Sequence, residues 1–506
     1  MDAEIDIYGT PSQVQPPLPD SYQRLVHVDL KGAPPKIDYL LKILPLFKEW
    51  GATGLLVEYE DTFPFSRDLQ ILSKREECYS LGDVASLQQA AKGLGLEYIP
   101  LIQTFGHLEF VLKHAQFHSL REDPEDARSV CPSNPDSLKL VQSMLDQVLE
   151  YHPDVKFFHI GADEVWMKRR CQKCIERIQD TYHGKPSGLF LSHVKAVLGY
   201  LQERRPNVRP IMWDDMLRGA DCGVVKDSNL GDMVDVMVWN YLDTMASFNM
   251  TTPHKVWQLY GSVFKNVWIA SAFKGAFGPT LFLTPELEHI RNQELWVNEL
   301  QRAVPKQLDF KGIVFTGWQR YTHQTVLCEL LPVGLPSLAF CLDTFIQGYF
   351  KEEIHRAVSQ KLGFPELLDL EIQTSMPISE MPVDAPMGTF PGSAMYMCAR
   401  QLATLQSSKE GQQFFKLPNQ SAFLTEAEEA SVSAEKACLM LPALTDSEMG
   451  PVLSLLSRAT RLKTRAQEAL SEVYHPPTIN EWLELCIMPL IKHLERRLAE
   501  TKEQNQ

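Results

Sequence analysis

The sequence has few cysteines, no long apolar run and no excess of positive charge. Ten cysteines in 506 residues are too few for a disulfide-built scaffold. No stretch approaches the ~20 consecutive apolar residues that a membrane-spanning helix needs. The formal net charge of -15 argues against nucleic acid or an anionic membrane as the main partner. These absences predict a soluble protein of a reducing compartment, in the cytoplasm or the nucleus.

The first twenty residues also lack the features of a targeting segment. They begin with acidic residues and continue into a proline-rich stretch, with neither a basic head nor an apolar run. A secretory signal or an amphipathic transit peptide requires those features. We therefore interpret residues 1–20 as a flexible tail.

Apolar strand-like runs alternate with helical patterns over residues 21–345. The predicted strands cover 24–32, 54–60, 97–105, 156–164, 210–215, 234–241, 267–273 and 312–318. Eight such units over roughly 320 residues are typical of a (β/α)8 TIM barrel, an α/β fold. An open doubly wound sheet is the alternative, but it usually has fewer strands and a glycine-rich phosphate loop, which this sequence lacks.

The alternation fades after the predicted barrel, and residues 346–506 form a predicted C-terminal helical region. Amphipathic helices are expected over 458–474 and 479–500, and 426–435 is acidic and rich in alanine. The Met-, Pro- and Ser-rich stretch near 369–395 predicts an irregular connection. We expect this region to pack against the barrel, and a homodimer contact is the second interpretation.

Polar or aromatic residues end most of the predicted strands. They are Asp29, Glu58, Gln103, Asp163, Glu164, Trp213, Asp214, Trp239, Ser271 and Trp318. In a closed barrel these ends meet at one mouth, where enzymes of this fold place their chemistry. Indole faces that stack on a pyranose ring and carboxylates that accept its hydroxyls are the components of a sugar site.

The two adjacent carboxylates, Asp163 and Glu164, indicate glycoside cleavage with a substrate-borne nucleophile. Neighbours in sequence point in different directions, so they cannot share one role. Glu164 would protonate the leaving oxygen and later activate water. Asp163 would accept the N–H of a 2-acetamido group whose own oxygen attacks the anomeric carbon. Two alternatives stay open: a hydrolase using separate carboxylates such as Glu58 and Asp214, and a barrel that binds sugars or proteins without cleaving them.

Two motifs resemble family 20 of the β-N-acetylhexosaminidases. His159-Ile-Gly-Ala-Asp-Glu164 is similar to that family's His-x-Gly-Gly-Asp-Glu signature, and Gln103-Thr-Phe-Gly-His107 is similar to its strand-three motif. The resemblance covers the barrel. It implies retaining exo-cleavage of terminal N-acetylglucosamine or N-acetylgalactosamine from glycans or glycoconjugates, without cofactor or metal.

The resemblance also implies roles for individual residues. Asp163 would polarise the acetamido group, Glu164 would be the general acid and base, and His107 would support Glu164. Tyr241 would hold the acetamido carbonyl oxygen. Trp213, Trp239 and Trp318 would form the aromatic walls, with Asp214 beside them in the substrate-binding set.

Two departures from the family pattern concern Ala162 and Asp29. Ala162 stands where the signature has its second glycine, and Asp29 stands near the position of a sugar-binding arginine. We expect the first change to leave room for the carboxylates. In the second case Asp29 would accept a sugar hydroxyl in place of the arginine.

Cys171-Gln-Lys-Cys174 is one half of a possible zinc or redox motif. No second such pair or suitably spaced Cys-His pair follows it, and a thioredoxin-like setting is absent. The sequence therefore favours ordinary packing cysteines and predicts no metal.

Overall fold

Eight parallel strands form a closed barrel in the computed structural model, which describes residue 19 and residues 21–73, 76–168, 170–245, 253–302, 308–372, 374–381, 386–415 and 443–504. The barrel strands are β1 (Gln23–Asp29), β2 (Gly54–Glu58), β3 (Glu97–Leu101), β6 (Phe157–His159), β7 (Arg209–Trp213), β8 (Asp235–Trp239), β9 (Asn266–Lys274) and β10 (Asp309–Gly317). Their order around the barrel is β1-β10-β9-β8-β7-β6-β3-β2. All eight predicted strands are present, and the predicted TIM barrel is confirmed.

Side chains along each strand point alternately into the barrel interior and toward the surrounding helices. Leu25 and Leu56 pack in an inner apolar cluster, whereas their neighbours Val26 and Leu55 belong to the outer core. Successive strand side chains point to opposite faces, so apolar residues at consecutive positions bury both faces. This explains why the strands have continuous apolar sequences.

Helices surround the barrel and follow its strands. Their bounds are α1 (Ile37–Glu49), α2 (Leu81–Gly93), α3 (Glu109–Leu112), α4 (Pro135–Tyr151), α5 (Gln172–Asp180), α6 (Pro186–Arg204), α7 (Asp215–Arg218), α8 (Cys222–Asp227), α9 (Leu230–Met233), α10 (Pro253–Val263), α11 (Glu286–Arg302) and α12 (Leu331–Gln347). Short 3-10 turns occupy Glu60–Thr62, Arg67–Ser73 and Ala115–Leu120. No helix within these described ranges is long and apolar enough to cross a membrane.

A small antiparallel hairpin, which the sequence analysis did not predict, is inserted between β3 and α4. It consists of β4 (Arg121–Asp123) and β5 (Asp126–Val130).

The adjacent barrel strands β3 and β6 pair only at Leu101 and His159. The fourth barrel strand is shorter than predicted because Gly161 and Ala162 have φ values of +64° and +68°, which end the extended backbone.

The C-terminal part of the chain is helical and packs against the barrel. Its helices are α13 (Glu352–Lys361), α14 (Ser393–Ser407), α15 (Lys409–Phe414), Asp446–Ser471, Pro476–Trp482 and Met488–Gln504, with a π-helical turn at Leu483–Ile487. Arg320, after β10, forms two hydrogen bonds of 2.5 and 2.6 Å with Glu481. Tyr396 donates to Glu286 of α11 at 2.8 Å. The main apolar core includes residues of both the barrel and the C-terminal helices.

Some sequence predictions fall outside the described residues. The acidic segment 426–435 and nearly all of the predicted tail 1–20 are among them. The described residues of the stretch 369–395 include a 3-10 turn at Ile378–Glu380 and the start of α14, and the irregular connection stays a prediction. The division at residue 345 and the homodimer contact stay predictions.

Candidate active site

The loop after β6 and the loop after β3 bring three titratable side chains together at the C-terminal mouth of the barrel. Asp163 and Glu164 come from the first loop and His107 from the second. Glu164 and His107 have left-handed backbone conformations, with φ values of +43° and +50°. Such conformations cost about 1–3 kcal/mol each and occur preferentially at functional sites.

His107 lies between the two carboxylates. Its Nε2 is 3.4 Å from Asp163 Oδ2 and 3.4 Å from Glu164 Oε2. Burial alone would lower the pKa of the imidazole, but the charge of Asp163 and the hydrogen bonds with both carboxylates raise it well above its usual value. The hydrogen bond from His107 lowers the pKa of Glu164, although burial opposes this change. The two directions favour a protonated His107 beside an ionised Glu164.

Gln103 fixes the position of Asp163. Its Nε2 donates to Asp163 Oδ1 at 3.1 Å and to Glu58 Oε1 at 3.3 Å, and its Oε1 accepts from the N–H of Ala162 at 3.3 Å. Glu58 in turn lies 3.1 Å from His27 Nε2. Gln103 was predicted as a strand end, but its orienting role depends on a contact between the loops after β3 and β6.

Two glycines allow the loop that carries Asp163 and Glu164 (the candidate catalytic loop) to approach the loop after β3 closely. A Cβ on Gly106 would lie 2.3 Å from the carbonyl oxygen of Asp163, and one on Gly161 would lie 2.0 Å from Gln103 Oε1. Real Cβ atoms do not approach other atoms this closely. Ala162 is fully buried and accommodates its methyl group, although its φ of +68° is one that glycine adopts without cost.

Asp215, which follows the end of β7, supports the loop that carries Asp163 and Glu164. Its role was not predicted from the sequence, where Asp214 was selected instead. Asp215 Oδ2 accepts from the N–H of Glu164 at 2.9 Å, and Oδ1 accepts from Trp239 Nε1 at 3.4 Å. Burial, followed by the charge of Asp163, raises the pKa of Asp215 to about 7. The signal in the sequence was the Asp-Asp pair after Trp213, but spacing could not show which carboxylate faces the mouth.

The three predicted tryptophans and Tyr241 form a continuous aromatic wall. Trp239 stacks on Tyr241 with ring centroids 5.1 Å apart, and Tyr241 meets the edge of Trp318 at 6.5 Å. Trp318 lies 6.0 Å from Trp213, which is almost fully buried. Burial raises the pKa of Tyr241, so its hydroxyl keeps its proton and can donate a hydrogen bond.

Asp214 is not available at the mouth. It is fully buried and accepts from the Arg218 guanidinium at 2.6 and 2.7 Å, from the Tyr260 hydroxyl at 2.8 Å and from the N–H of Trp239 at 3.2 Å. The structure therefore gives Asp214 a supporting position beneath Trp239, whose ring also lies 4.7 Å from Arg218 Cζ.

Asp29 is also occupied by protein partners. Oδ1 accepts from the N–H of Lys31 at 2.9 Å, and Oδ2 accepts from the N–H of Gln319 at 2.8 Å. The buried Lys31 ammonium lies 3.7 Å from Asp29, 3.4 Å from Glu60 and 5.4 Å from the centroid of Trp318. Asp29 thus joins the ends of β1 and β10, which leaves little capacity for a sugar hydroxyl.

The arrangement places two carboxylates, one imidazole and an aromatic surface at one mouth. Glu164 has a 46% exposed side chain, whereas those of Asp163 and His107 are 11% exposed. The alternative pair, Glu58 and Asp214, is fully buried and cannot flank a substrate. A parallel eight-stranded barrel with this site defines a glycoside hydrolase.

Comparison with known proteins agrees with this class and identifies the family. Residues 40–256 match the family described as glycosyl hydrolase family 20, catalytic domain. The chain is 36% identical over 481 residues to hexosaminidase D of Homo sapiens, covering 95% of this chain and 94% of that protein. It is 41% identical over 353 residues to hexosaminidase D of Bos taurus, covering 69% and 99% respectively. The chain belongs to glycosyl hydrolase family 20, the hexosaminidase family.

Solved structures support the fold. A β-N-acetylhexosaminidase crystal structure matches with a TM-score of 0.50 and 14% identity, covering 70% of this chain and 78% of that one. At this identity the likeness shows the fold alone.

Proposed function

We propose that this protein is a retaining exo-β-N-acetylhexosaminidase that acts through the substrate's own 2-acetamido group. The substrates would be glycans or glycoconjugates that end in N-acetylglucosamine or N-acetylgalactosamine. The observation that carries the proposal is the placement of one histidine, His107, at 3.4 Å from both Asp163 and Glu164. The two relatives named hexosaminidase D support the same substrate class.

In the proposed first step, the acetamido oxygen attacks the anomeric carbon while Glu164 protonates the leaving oxygen. The attack forms a C–O bond, closes an oxazolinium ring and breaks the glycosidic bond. Asp163, held by Gln103, accepts the acetamido N–H and stabilises the positive charge that develops. His107 would supply the proton that Glu164 needs, since its Nε2 lies 3.4 Å from Glu164 Oε2 and a small approach would complete the hydrogen bond.

In the second step, Glu164 removes a proton from water, and the water oxygen opens the ring at the anomeric carbon. Two inversions at this carbon give net retention. Tyr241 would donate to the acetamido oxygen and align it for attack. The aromatic wall would cover the acetamido methyl group and the sugar ring, and it would exclude water from the intermediate.

Variants of the two carboxylates test these roles separately. Glu164→Gln should lower kcat/KM by ~10²–10⁴-fold on a poor leaving group and far less on a dinitrophenyl leaving group, which departs without a proton. Asp163→Asn should lower kcat by roughly 10²–10³-fold on both substrates. Glu203→Gln, on the exposed face of α6, is the matched control. Normal turnover of Glu164→Gln on the poor leaving group would refute the assignment.

The nucleophile is tested by inhibition and by stereochemistry. A thiazoline mimic of the cyclised acetamido group should compete with substrate, and the first product seen by NMR should be the β-anomer. Failure of the thiazoline to inhibit, or an α-anomer as first product, would contradict the substrate-assisted mechanism. Aryl gluco- and galacto-configured substrates, compared in the same assay, would establish the preference at C4.

A further inference from the structure

Three cysteines from two separate segments meet beside the catalytic loop. Cys131 follows β5, and Cys171 and Cys174 lie at the start of α5. Cys131 Sγ is 3.4 Å from Cys171 Sγ and 3.6 Å from Cys174 Sγ, and the three sulfur atoms all lie within 4.8 Å of one another. Cys131 and Cys174 are buried, Cys171 is half-buried, and all three are free thiols. Sequence spacing did not reveal this set because Cys131 precedes the pair by forty residues.

The sulfur positions fit a tetrahedral thiolate site. Four ligands around zinc with Zn–S bonds of ~2.3 Å place neighbouring sulfurs about 3.8 Å apart, close to the 3.4 and 3.6 Å observed. A disulfide would join only two of the three sulfurs and leave a buried thiol beside them. The hydroxyl of Ser133 also lies beside the cluster, and the Cys174 thiol donates to it at 3.1 Å.

The surroundings of the sulfurs suit a buried metal centre. Arg177 donates to the Pro132 carbonyl at 2.8 Å and to Ser133 Oγ at 3.2 Å, which fixes the loop after Cys131. Cys171 is the N-cap residue of α5, so N–H groups at the helix start favour thiolates there. The cysteines form a small cluster with Ile178 and Leu189, separate from the main core. This satellite cluster has little apolar area to hold its segments together.

We propose that Cys131, Cys171 and Cys174 bind one zinc ion that fastens the loop carrying Asp163 and Glu164. Each coordinated thiol releases its proton to solvent, and the fourth position is filled by an oxygen ligand. The ion joins the end of the β4–β5 hairpin to the start of α5, where Cys171 lies seven residues after Glu164. This is a structural role, distinct from the proposed hydrolytic chemistry.

A parallel set of hydrogen bonds shows that this loop depends on the hairpin for its position. The buried carboxylate of Glu122 accepts from the N–H groups of Lys168, Arg170 and Cys171 at 3.1 to 3.4 Å. The hydroxyl of Ser129 accepts from the N–H of Trp166 at 3.1 Å. The zinc ion would add a further attachment at the C-terminal end of this loop, through Cys171 and Cys174.

The experiment measures metal content of the untagged full-length protein after zinc loading under reducing conditions and exhaustive dialysis. We expect about one zinc per chain, falling below about 0.1 in Cys131→Ser and Cys174→Ser. The exposed Cys222 provides the control, since Cys222→Ser should keep its zinc. Replacement of zinc by Co²⁺ should produce intense thiolate-to-cobalt charge-transfer absorption in the wild type, which tests the site even if a serine variant fails to fold.

Three outcomes would overturn the proposal: zinc below ~0.1 per chain in the loaded wild type, unchanged zinc in the two serine variants, or a disulfide between two of the three cysteines in the loaded protein. Removal of zinc by a chelator should also lower the melting temperature of the wild type. None of these measurements depends on hydrolysis, so a negative result would count against the zinc site and not against the proposed function.

Discussion

Gly106 lies directly before His107, and the backbone of Asp163 passes over it. A Cβ added at this position would lie 2.3 Å from the Asp163 carbonyl oxygen and 3.3 Å from that of Glu164. Restoring an ordinary van der Waals separation of 3.4 Å requires a displacement of about 1.1 Å. The obstacle is backbone, so a side-chain rotation cannot relieve it. Gly106→Ala must therefore move the catalytic loop away from His107.

A displacement of this size should be costly for catalysis. A misplacement of ~1 Å in a catalytic group can reduce the rate about 10²-fold, because proton transfer and attack depend on short, aligned contacts. We expect kcat on an aryl N-acetylhexosaminide to fall by roughly this factor in Gly106→Ala. The assay is steady-state hydrolysis, with thermal unfolding measured in parallel to show that the variant is folded.

Gly199 provides the matched control for this substitution. It lies inside α6, and a Cβ there would meet nothing within 4 Å. Gly199→Ala should keep full activity and gain ~0.5–1 kcal/mol of stability, since alanine loses less backbone entropy in a helix. Unchanged kcat and KM in Gly106→Ala would refute the reasoning, because the loop would then tolerate displacement.

Three further predictions concern stability. The pKa of Asp215 is raised to about 7, so the folded state holds a proton that the unfolded state has lost between about pH 4 and 7. Asp215 therefore lowers the urea midpoint as pH rises through that window, and the midpoint of the wild type should fall there by more than that of Asp215→Asn. His107 has its pKa raised, so its stabilising contribution should be complete below about pH 6.5 and lost as pH rises through the folded-state pKa. A constant stability difference between wild type and His107→Gln from pH 6 upward would contradict this. Arg320→Met should lower the free energy of unfolding by about 2–4 kcal/mol, because it leaves the partly buried Glu481 unpaired. Arg356→Met, in an exposed helical pair, should change that free energy by less than ~0.5 kcal/mol. The same urea experiment measures both.

The site shows why two adjacent residues of the same type, Asp214 and Asp215, have different surroundings. Asp214 and Asp215 both follow a tryptophan at the end of β7, yet only Asp215 contacts the catalytic loop. The strand ends at Trp213 and α7 begins at Asp215, so the backbone turns between the two carboxylates. One therefore lies beneath Trp239 against Arg218, and the other faces Glu164.

Local patterns in the sequence determined the barrel and the principal carboxylates. Continuous apolar runs that alternate with amphipathic helices can bury both strand faces only in a sheet covered by helices, and Asp163 and Glu164 were visible as polar residues at the end of one such run. Tertiary structure decided the contacts between segments distant in the chain: the bond from Gln103 to Asp163, the occupied carboxylates of Asp29 and Asp214, and the meeting of Cys131 with the later cysteine pair. These contacts depend on strand register and loop path, which are set by packing of the whole barrel, whereas spacing along the chain records only neighbours in sequence.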